Sequence, residues 1–302
     1  MENSFNNPIF YGADPFLLTY GGKYYVYCTT QNENTLANFA TTSTDIDGFE
    51  VYESSDLKTW ENKGYCLKKG DGVIGEKWFW APEVTYYNGK FYMVYTSEEH
   101  LAMAVADNPL GPFRQTEQKW LRESKAIDGH ILIDDDGKAY LYYVRLGGGN
   151  RIFVATLTED LLSIEEEYEE CLIEAQEPWE TVDCKVAEGP FVLKHKGLYY
   201  LSYSCNHTRC PDYSVGYATS PSPFGPFKRY EGNPILHRNE KFWGVGHHSF
   251  AYSADGSTLI CAYHCHSGRE DNYKPRRFCL NTAEFKENAC GEDILVINGP
   301  CE

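Results

Sequence analysis

Residues 80–95 read WAPEVTYYNGKFYMVY, a short apolar stretch, an Asn-Gly turn and a second stretch rich in Tyr, Phe and Val. Asn-Gly between two apolar stretches is the strongest short-range signal of a β-hairpin. Aromatic and β-branched residues in these numbers favour a pleated, half-buried surface. The segment therefore predicts two antiparallel strands joined by a tight turn.

The same pattern occurs five times along the chain. The other copies lie at residues 13–27 (ADPFLLTYGGKYYVY), 127–143 (IDGHILIDDDGKAYLYY), 187–203 (AEGPFVLKHKGLYYLSY) and 246–263 (GHHSFAYSADGSTLICAY). Five units of about sixty residues, each with about four strands, predict an all-β, five-bladed β-propeller. We expect a single domain over residues 1–302, in which the acidic stretch 163–170 is a solvated edge or loop. A β-sandwich or barrel is the alternative, but neither explains a fivefold repeat.

The composition and charge of the chain exclude several classes of function. At 302 residues, 42% hydrophobic and 24% charged, the sequence is typical of a globular protein with a closed core. Lys and Arg number 27 against 44 Asp and Glu, which gives a net charge of −17. This field repels phosphate backbones and anionic lipid, so we expect no nucleic acid and no membrane as partner. No stretch approaches the ~20 apolar residues of a membrane span.

The cysteines and the first residues bear on the cellular compartment. The eleven cysteines are odd in number and scattered, without a Cys-x-x-Cys pair, which favours reduced, mostly buried thiols. Residues 1–7 (MENSFNN) have neither the basic region nor the apolar stretch of a signal peptide. These features predict a cytoplasmic protein, and a secreted protein whose signal peptide has been removed is the alternative.

The repeat also predicts a cluster of polar side chains at the centre of the propeller. One polar residue occupies what we take to be the same leading position of each unit: Asp14, Glu83, Asp128, Glu188 and His247. The innermost strand of each blade starts near the axis, so these residues should converge although they lie about 45 to 70 positions apart. Paired carboxyl groups across a cleft are what glycoside hydrolysis needs, one as acid and one as base or nucleophile. The alternative, for any one of them, is a turn cap or a bond to a strand end.

The segments around these residues resemble those of glycoside hydrolase family 43, whose members are five-bladed propeller glycosidases. The resemblance covers essentially the whole chain and rests on five segments in order: 12–16 (GADPF), 80–84 (WAPEV), 126–130 (AIDGH), 186–191 (VAEGPF) and 244–249 (GVGHHS). It implies an inverting mechanism in which Asp14 is the general base and Glu188 the general acid. It also implies that Asp128 orients the acid and tunes its pKa. Gly129 stands where the family often has Pro, which would free the backbone beside Asp128.

The resemblance extends to a cation and to the sugar. It implies that His247 helps to hold a cation, usually calcium, in the axial channel, with a structural and electrostatic role; we expect no organic cofactor and no zinc site. Trp80, Phe16 and Arg276 are candidate substrate-binding residues, because aromatic rings stack on sugars and Arg bonds hydroxyl groups. The competing interpretation is blade packing for the two aromatic residues and a surface position for Arg276.

These expectations favour release of pentose from plant-cell-wall oligosaccharides that contain arabinose or xylose. We place α-L-arabinofuranosidase ahead of β-D-xylosidase, and an endo-arabinanase of the same family is a further alternative. A sugar-binding propeller without catalysis is the alternative from another class, and the presence of all three carboxylates argues against it. The loop Gly147-Gly148-Gly149-Asn150 predicts a turn or a close backbone approach, not a phosphate site.

Overall fold

The computed structural model describes residues 5–35, 46–269 and 274–301, and its strands form five sheets in chain order. Blade 1 contains β1 (Gly12–Tyr20), β2 (Lys23–Thr30), β3 (Gly48–Ser54) and β4 (Glu61–Lys68). Blade 2 contains β5 (Trp80–Tyr87), β6 (Lys90–Ser97) and β7 (His100–Ala106). Blade 3 contains β8 (Ala126–Ile133), β9 (Ala139–Arg145), β10 (Arg151–Leu157), β11 (Ile164–Glu167) and β12 (Ile173–Glu174). Blade 4 contains β13 (Ala187–His195), β14 (Leu198–Cys205), β15 (Ser214–Ser220) and β16 (Lys228–Arg229). Blade 5 contains β17 (Gly246–Tyr252), β18 (Leu259–Cys265), β19 (Arg277–Glu287) and β20 (Asp293–Ile297).

The predicted all-β, five-bladed propeller is confirmed. The residues described contain no α-helix, and a 3-10 helix spans Pro178–Glu180. Blade 2 has three strands instead of about four, with an isolated bridge between Val105 and Arg114 beyond β7. The acidic stretch 163–170 includes the edge strand β11, in agreement with the expected solvated edge. Within the described part of the chain, no helix is long and apolar enough to cross a membrane.

Tight turns close the repeated hairpins as the sequence predicts. Asn88 and Gly89, which join β5 to β6, both have positive φ angles (47° and 81°). Lys196 and Gly197 join β13 to β14 in the same way (47° and 81°). Two left-handed residues make the turn whose twist matches that of the flanking strands, which is why Gly recurs at this point.

Side chains on the inner strands link the blades into a closed ring. Each inner strand contacts those of its two neighbours, in the cyclic order β1, β5, β8, β13, β17 and back to β1. Every junction also carries a hydrogen bond: Ala81 N to Thr29 Oγ1 (2.8 Å), Ile131 N to Glu83 Oε1 (2.8 Å), Val192 N to His130 Nε2 (3.0 Å), His248 Nε2 with Ser202 Oγ (2.7 Å) and Leu17 N to Ser249 Oγ (3.0 Å). The ring therefore fixes where each inner strand meets the axis.

A β-bulge near the start of each inner strand corrects the expected alignment of the polar residues. The residue that turns left-handed at the bulge is Asp14 (φ 50°), Ala81 (42°), Asp128 (54°), Gly189 (55°) or His247 (45°). Glu83 lies two residues beyond this position and Glu188 one residue before it, so the prediction of one shared position is wrong for these two. A bulge adds a residue to one strand, and the sequence does not show which residue takes the turn.

Candidate active site

Asp14 lies at the bulge of β1 and its carboxylate is surrounded by cationic and donor groups. Oδ1 accepts a hydrogen bond from Arg276 Nη1 (2.6 Å), and Oδ2 accepts one from Thr29 Oγ1 (2.6 Å). The Nδ1 atoms of His247 and His264 each lie 3.3 Å from Oδ1. Burial alone would raise the pKa of Asp14, but Arg276 and the two imidazoles outweigh it and hold this pKa well below its usual range. Asp14 is therefore ionised at neutral pH.

Arg276 is itself fixed by contacts with two other elements. Its backbone N–H donates to Gln31 Oε1 (2.7 Å), and Nη1 also donates to Thr208 Oγ1 (3.0 Å). The competing interpretation, a surface position, is thus wrong, because the side chain reaches inward to Asp14 from just before β19. A rigid guanidinium beside a carboxylate keeps that carboxylate charged and oriented.

Glu188, on β13, is held by two uncharged donors. Asn150 Nδ2 donates to Oε2 (2.9 Å) and Tyr213 Oη donates to Oε1 (3.0 Å). Burial raises the pKa of Glu188 to about 7, against the opposing effect of these two hydrogen bonds. Near neutral pH this side chain can carry a proton.

Asp128 lies at the bulge of β8 and reaches the strand that bears Glu188. Its Oδ2 accepts a hydrogen bond from the backbone N–H of Gly189 (3.1 Å), and its own N–H donates to Thr96 Oγ1 (3.1 Å). Burial, followed by the charge of Glu188, raises the pKa of Asp128 well above its usual range. Two carboxyl groups in one buried site do not both ionise easily, so the pair retains a proton.

The glycine after Asp128 has a packing role. A Cβ at Gly129 would lie 2.6 Å from Val94 Cγ2, so the neighbouring blade leaves no room for a side chain. The left-handed residue is Asp128 itself, and two hydrogen bonds fix its direction. The expectation that Gly129 frees the backbone beside Asp128 is therefore wrong.

Ionised Asp14 and the proton-bearing pair Asp128 and Glu188 place a carboxylate and a carboxylic acid within one site. Groups whose environments push their pKa values apart are the usual mark of acid–base catalysis. Residues 5–290 match the family model of Glycosyl hydrolases family 43. The chain belongs to this family. It is accordingly a glycosidase.

Relatives in family 43 cover most of the chain. A solved endo-1,4-beta-xylanase from Bacteroides thetaiotaomicron is 38% identical, with a TM-score of 0.86 over 98% of this chain and 97% of its own. A xylosidase/arabinosidase from Humicola insolens is 30% identical over 260 residues, 72% of this chain and 78% of that protein. A beta-D-galactofuranosidase from Aspergillus niger is 27% identical over 97% of this chain and 84% of its own length.

The axial cavity, which the family resemblance assigns to calcium, is lined by carboxyl and imidazole groups. Its water-accessible volume is about 20 Å³, and Asp14, Asp128, His247 and His248 lie in its wall. Burial lowers the pKa of His247, so the ring is neutral, the form that binds metals. No group of three or more His, Cys, Asp or Glu side chains suited to a metal ion occurs among the described residues. Calcium bound by His247 therefore stays a prediction.

The two predicted aromatic sugar contacts lie in different surroundings. Trp80 stacks on Trp78 (5.9 Å between ring centroids, 12° between planes). Both indoles line a second cavity together with Thr29, whose hydroxyl binds Asp14, and Gln31. Phe16 lines the axial cavity, packs 6.3 Å from Phe191 and joins the hydrophobic cores of the flanking blades. Trp80 therefore lies near Asp14, and Phe16 lies in the wall of the axial cavity with its ring near Phe191.

Three residues that touch the carboxyl groups were not predicted as site residues: Thr29, Asn150 and Tyr213. Asn150 is the last residue of the Gly-rich loop. The close backbone approach predicted for this loop is the signal that could have identified Asn150 as a site residue. The sequence offers no signal for Tyr213, since it is one of 24 tyrosines.

Proposed function

We propose that the protein is an inverting exo-glycosidase that releases pentose from arabinose- or xylose-containing oligosaccharides, with α-L-arabinofuranosides as the preferred substrates. The observation that carries this proposal is the contrast between Asp14 and Glu188. Asp14 is kept ionised by Arg276, whereas burial keeps Glu188 able to hold a proton. An inverting glycosidase needs one carboxylate and one carboxylic acid in this way.

The proposed reaction is a single displacement. Asp14 takes a proton from a water molecule that attacks the anomeric carbon, while Glu188 gives its proton to the departing glycosidic oxygen. Asp128 helps to retain that proton on Glu188, because a second buried carboxyl group disfavours the ionised acid. Arg276 keeps Asp14 charged and directs its carboxylate.

The names of the relatives support furanosides and pentosides. α-L-Arabinofuranose and β-D-galactofuranose share the arrangement of hydroxyl groups on the ring, so a relative named for the second sugar favours the first here. The Humicola insolens relative is named for both xylose and arabinose. The relative named endo-1,4-beta-xylanase makes internal cleavage of xylan a second candidate. Endo-arabinanase activity and sugar binding without catalysis are two more candidates.

Calcium is a further part of the proposal. A hydrated cation bound by His247 would offset part of the negative charge of the axial carboxyl groups. Its role would be structural and electrostatic, and the acid–base steps above do not pass through it.

The experiment compares hydrolysis of aryl α-L-arabinofuranoside and aryl β-D-xyloside by the wild type and by Asp14→Asn. Activity on either glycoside that the variant loses by about 100-fold or more supports the glycosidase mechanism and identifies the sugar. Failure to hydrolyse either one, followed by activity on arabinan or xylan, would replace exo-action by internal cleavage. Unchanged turnover by Asp14→Asn would exclude Asp14 as the base.

A further inference from the structure

The carboxyl group of Glu188 is held from two sides by residues of other elements. Asn150 lies in the loop between β9 and β10 of blade 3, and Tyr213 directly precedes β15 of blade 4. Their donors reach different oxygens, Oε2 (2.9 Å) and Oε1 (3.0 Å). Each oxygen keeps a further lone pair that can carry the proton. The two hydrogen bonds therefore fix the plane of the Glu188 carboxyl group in both protonation states.

The backbone ties Asn150 to the residues just before Glu188. The Ala187 N–H donates to the Asn150 carbonyl (3.0 Å), and Asn150 forms a parallel bridge with Val186. Gly149 has a φ of 104°, and a Cβ there would overlap the carbonyl oxygen of Lys185. The Gly-rich loop thus approaches the β13 backbone more closely than a loop with side chains could.

Packing on both sides fixes the Tyr213 hydroxyl. The ring is fully buried and stacks on His264 (5.6 Å between centroids, 7° between planes). On its edge, a Cβ at Gly246 would lie 2.5 Å from Tyr213 Cε1. The hydroxyl cannot leave Glu188 without moving blade 5, so it is a preorganised donor.

We propose that Asn150 and Tyr213 are positioning residues for the acid, which aim the proton of Glu188 at the departing oxygen and stabilise the carboxylate formed when that proton leaves. The inference rests on the proposed function. In the step concerned, the bond between the anomeric carbon and the glycosidic oxygen breaks and the Glu188 proton goes to that oxygen. The attacking water forms the new bond and gives its proton to Asp14.

Several titratable or charged groups surround Glu188 besides these two donors. They are Asp14 on β1, Asp128 on β8, Cys205 on β14, Cys184 before β13 and Arg276 before β19. The carboxyl groups oppose ionisation of Glu188, and Arg276 favours it. Both hydrogen bonds lower the pKa of Glu188, so their removal should raise it.

The test uses Asn150→Ala and Tyr213→Phe with a series of aryl glycosides of the pentose that the wild type hydrolyses. 2,4-Dinitrophenolate departs with little help from an acid, whereas phenolate needs a proton. We expect kcat/KM to fall about 10- to 100-fold on the phenyl glycoside and less than about 3-fold on the dinitrophenyl glycoside. The alkaline limb of the pH profile should also move upward in both variants.

Asn233→Ala is the matched control. Asn233 bonds the backbone N–H and carbonyl of Tyr217 through its amide, in the same blade as Glu188. This variant should lower the melting temperature and leave both the leaving-group dependence and the alkaline limb unchanged. Tyr213→Phe keeps the ring and its stacking, so it carries the test if Asn150→Ala does not fold.

Equal losses on both glycosides, or an unmoved alkaline limb in the two variants, would overturn the inference and leave the proposed glycosidase in place. A wild type that hydrolyses no glycoside or polymer would instead overturn the proposed function. The two failures are thus distinguished by the activity of the wild type.

Discussion

Arg276 Nη1 and Asp14 Oδ1 lie 2.6 Å apart although 262 positions separate the two residues in the sequence. The ion pair joins blade 5 to blade 1 at the bulge where Asp14 turns into the axial cavity. Its physical effect is to keep a buried carboxylate charged. The pair therefore couples the closure of the propeller to the protonation state of Asp14.

The first prediction concerns the acidic limb of the pH profile. Arg276→Ala removes the main charge that lowers the pKa of Asp14, so this pKa should rise and the acidic limb of kcat/KM should move up by about 1 pH unit or more. The measurement is kcat/KM between pH 3 and 8.

Arg277→Ala is its control, because Arg277 bonds the Pro8 carbonyl and lies over the Tyr11 ring instead of Asp14. An acidic limb that stays in place in Arg276→Ala would contradict the assignment.

The second prediction concerns the alkaline limb. In the proposed acid–base pair Asp128 is the ionised member, so Asp128→Asn removes a like charge beside Glu188 while an amide oxygen can still accept from the Gly189 N–H. The pKa of Glu188, which is about 7, should therefore fall, and the alkaline limb should move to lower pH. At pH 7 the variant should lose about 10-fold or more in kcat, measured against the same variant at pH 5. A limb that moves upward would show that Asp128 does not act by charge.

The sequence predicted the fold and the shared position of Asp14, Asp128 and His247 because hairpins and their turns are local. Asn88-Gly89 forms its turn whatever the rest of the chain does. The bulges are not local in this sense, since the ring of hydrogen bonds between blades decides which residue turns left-handed. Glu83 thus bonds Ile131 and His130 of the next blade. Tyr213 and Arg276 reach the site through long-range packing, which no spacing in the sequence encodes.

The third prediction concerns the stereochemistry of the product. An inverting mechanism gives a first-formed sugar with the anomeric configuration opposite to that of the substrate. Proton NMR in the first minutes of the reaction, before mutarotation, should show the β-anomer from an α-L-arabinofuranoside. First formation of the α-anomer would require a nucleophile and would exclude Asp14 as a base acting on water.

The fourth prediction concerns calcium. If a hydrated cation binds His247, removal of divalent cations should lower the melting temperature by a few degrees, and added calcium should restore it. Before any chelator is added, His247→Ala should already melt at a lower temperature than the wild type. Chelator should not lower the melting temperature of this variant further. If chelator changes neither the melting temperature nor the activity of the wild type, calcium is no longer part of the proposal.

The last prediction concerns stability, and it follows from the raised pKa of Glu188. Between the ordinary pKa of 4.5 and about 7, the folded protein binds more protons at this group than the unfolded chain does. Stability is therefore lost as the pH rises through this window, and the full loss is present above it. Glu188→Gln removes the charge, so its melting temperature should exceed that of the wild type by about 3 °C at pH 8 and match it near pH 4.

Glu231→Gln, an exposed position in blade 4, is the control for this stability experiment and should follow the wild type at both pH values. The difference in melting temperature between Glu188→Gln and the wild type, measured by calorimetry or thermal denaturation, should increase with pH. The opposite result is that the melting temperature of Glu188→Gln, compared with that of the wild type, falls between pH 4 and pH 8. It would mean that the Asn150 and Tyr213 hydrogen bonds stabilise the carboxylate by more than burial destabilises it. In that case Glu188 would be ionised in the resting enzyme, and it could not serve as the acid.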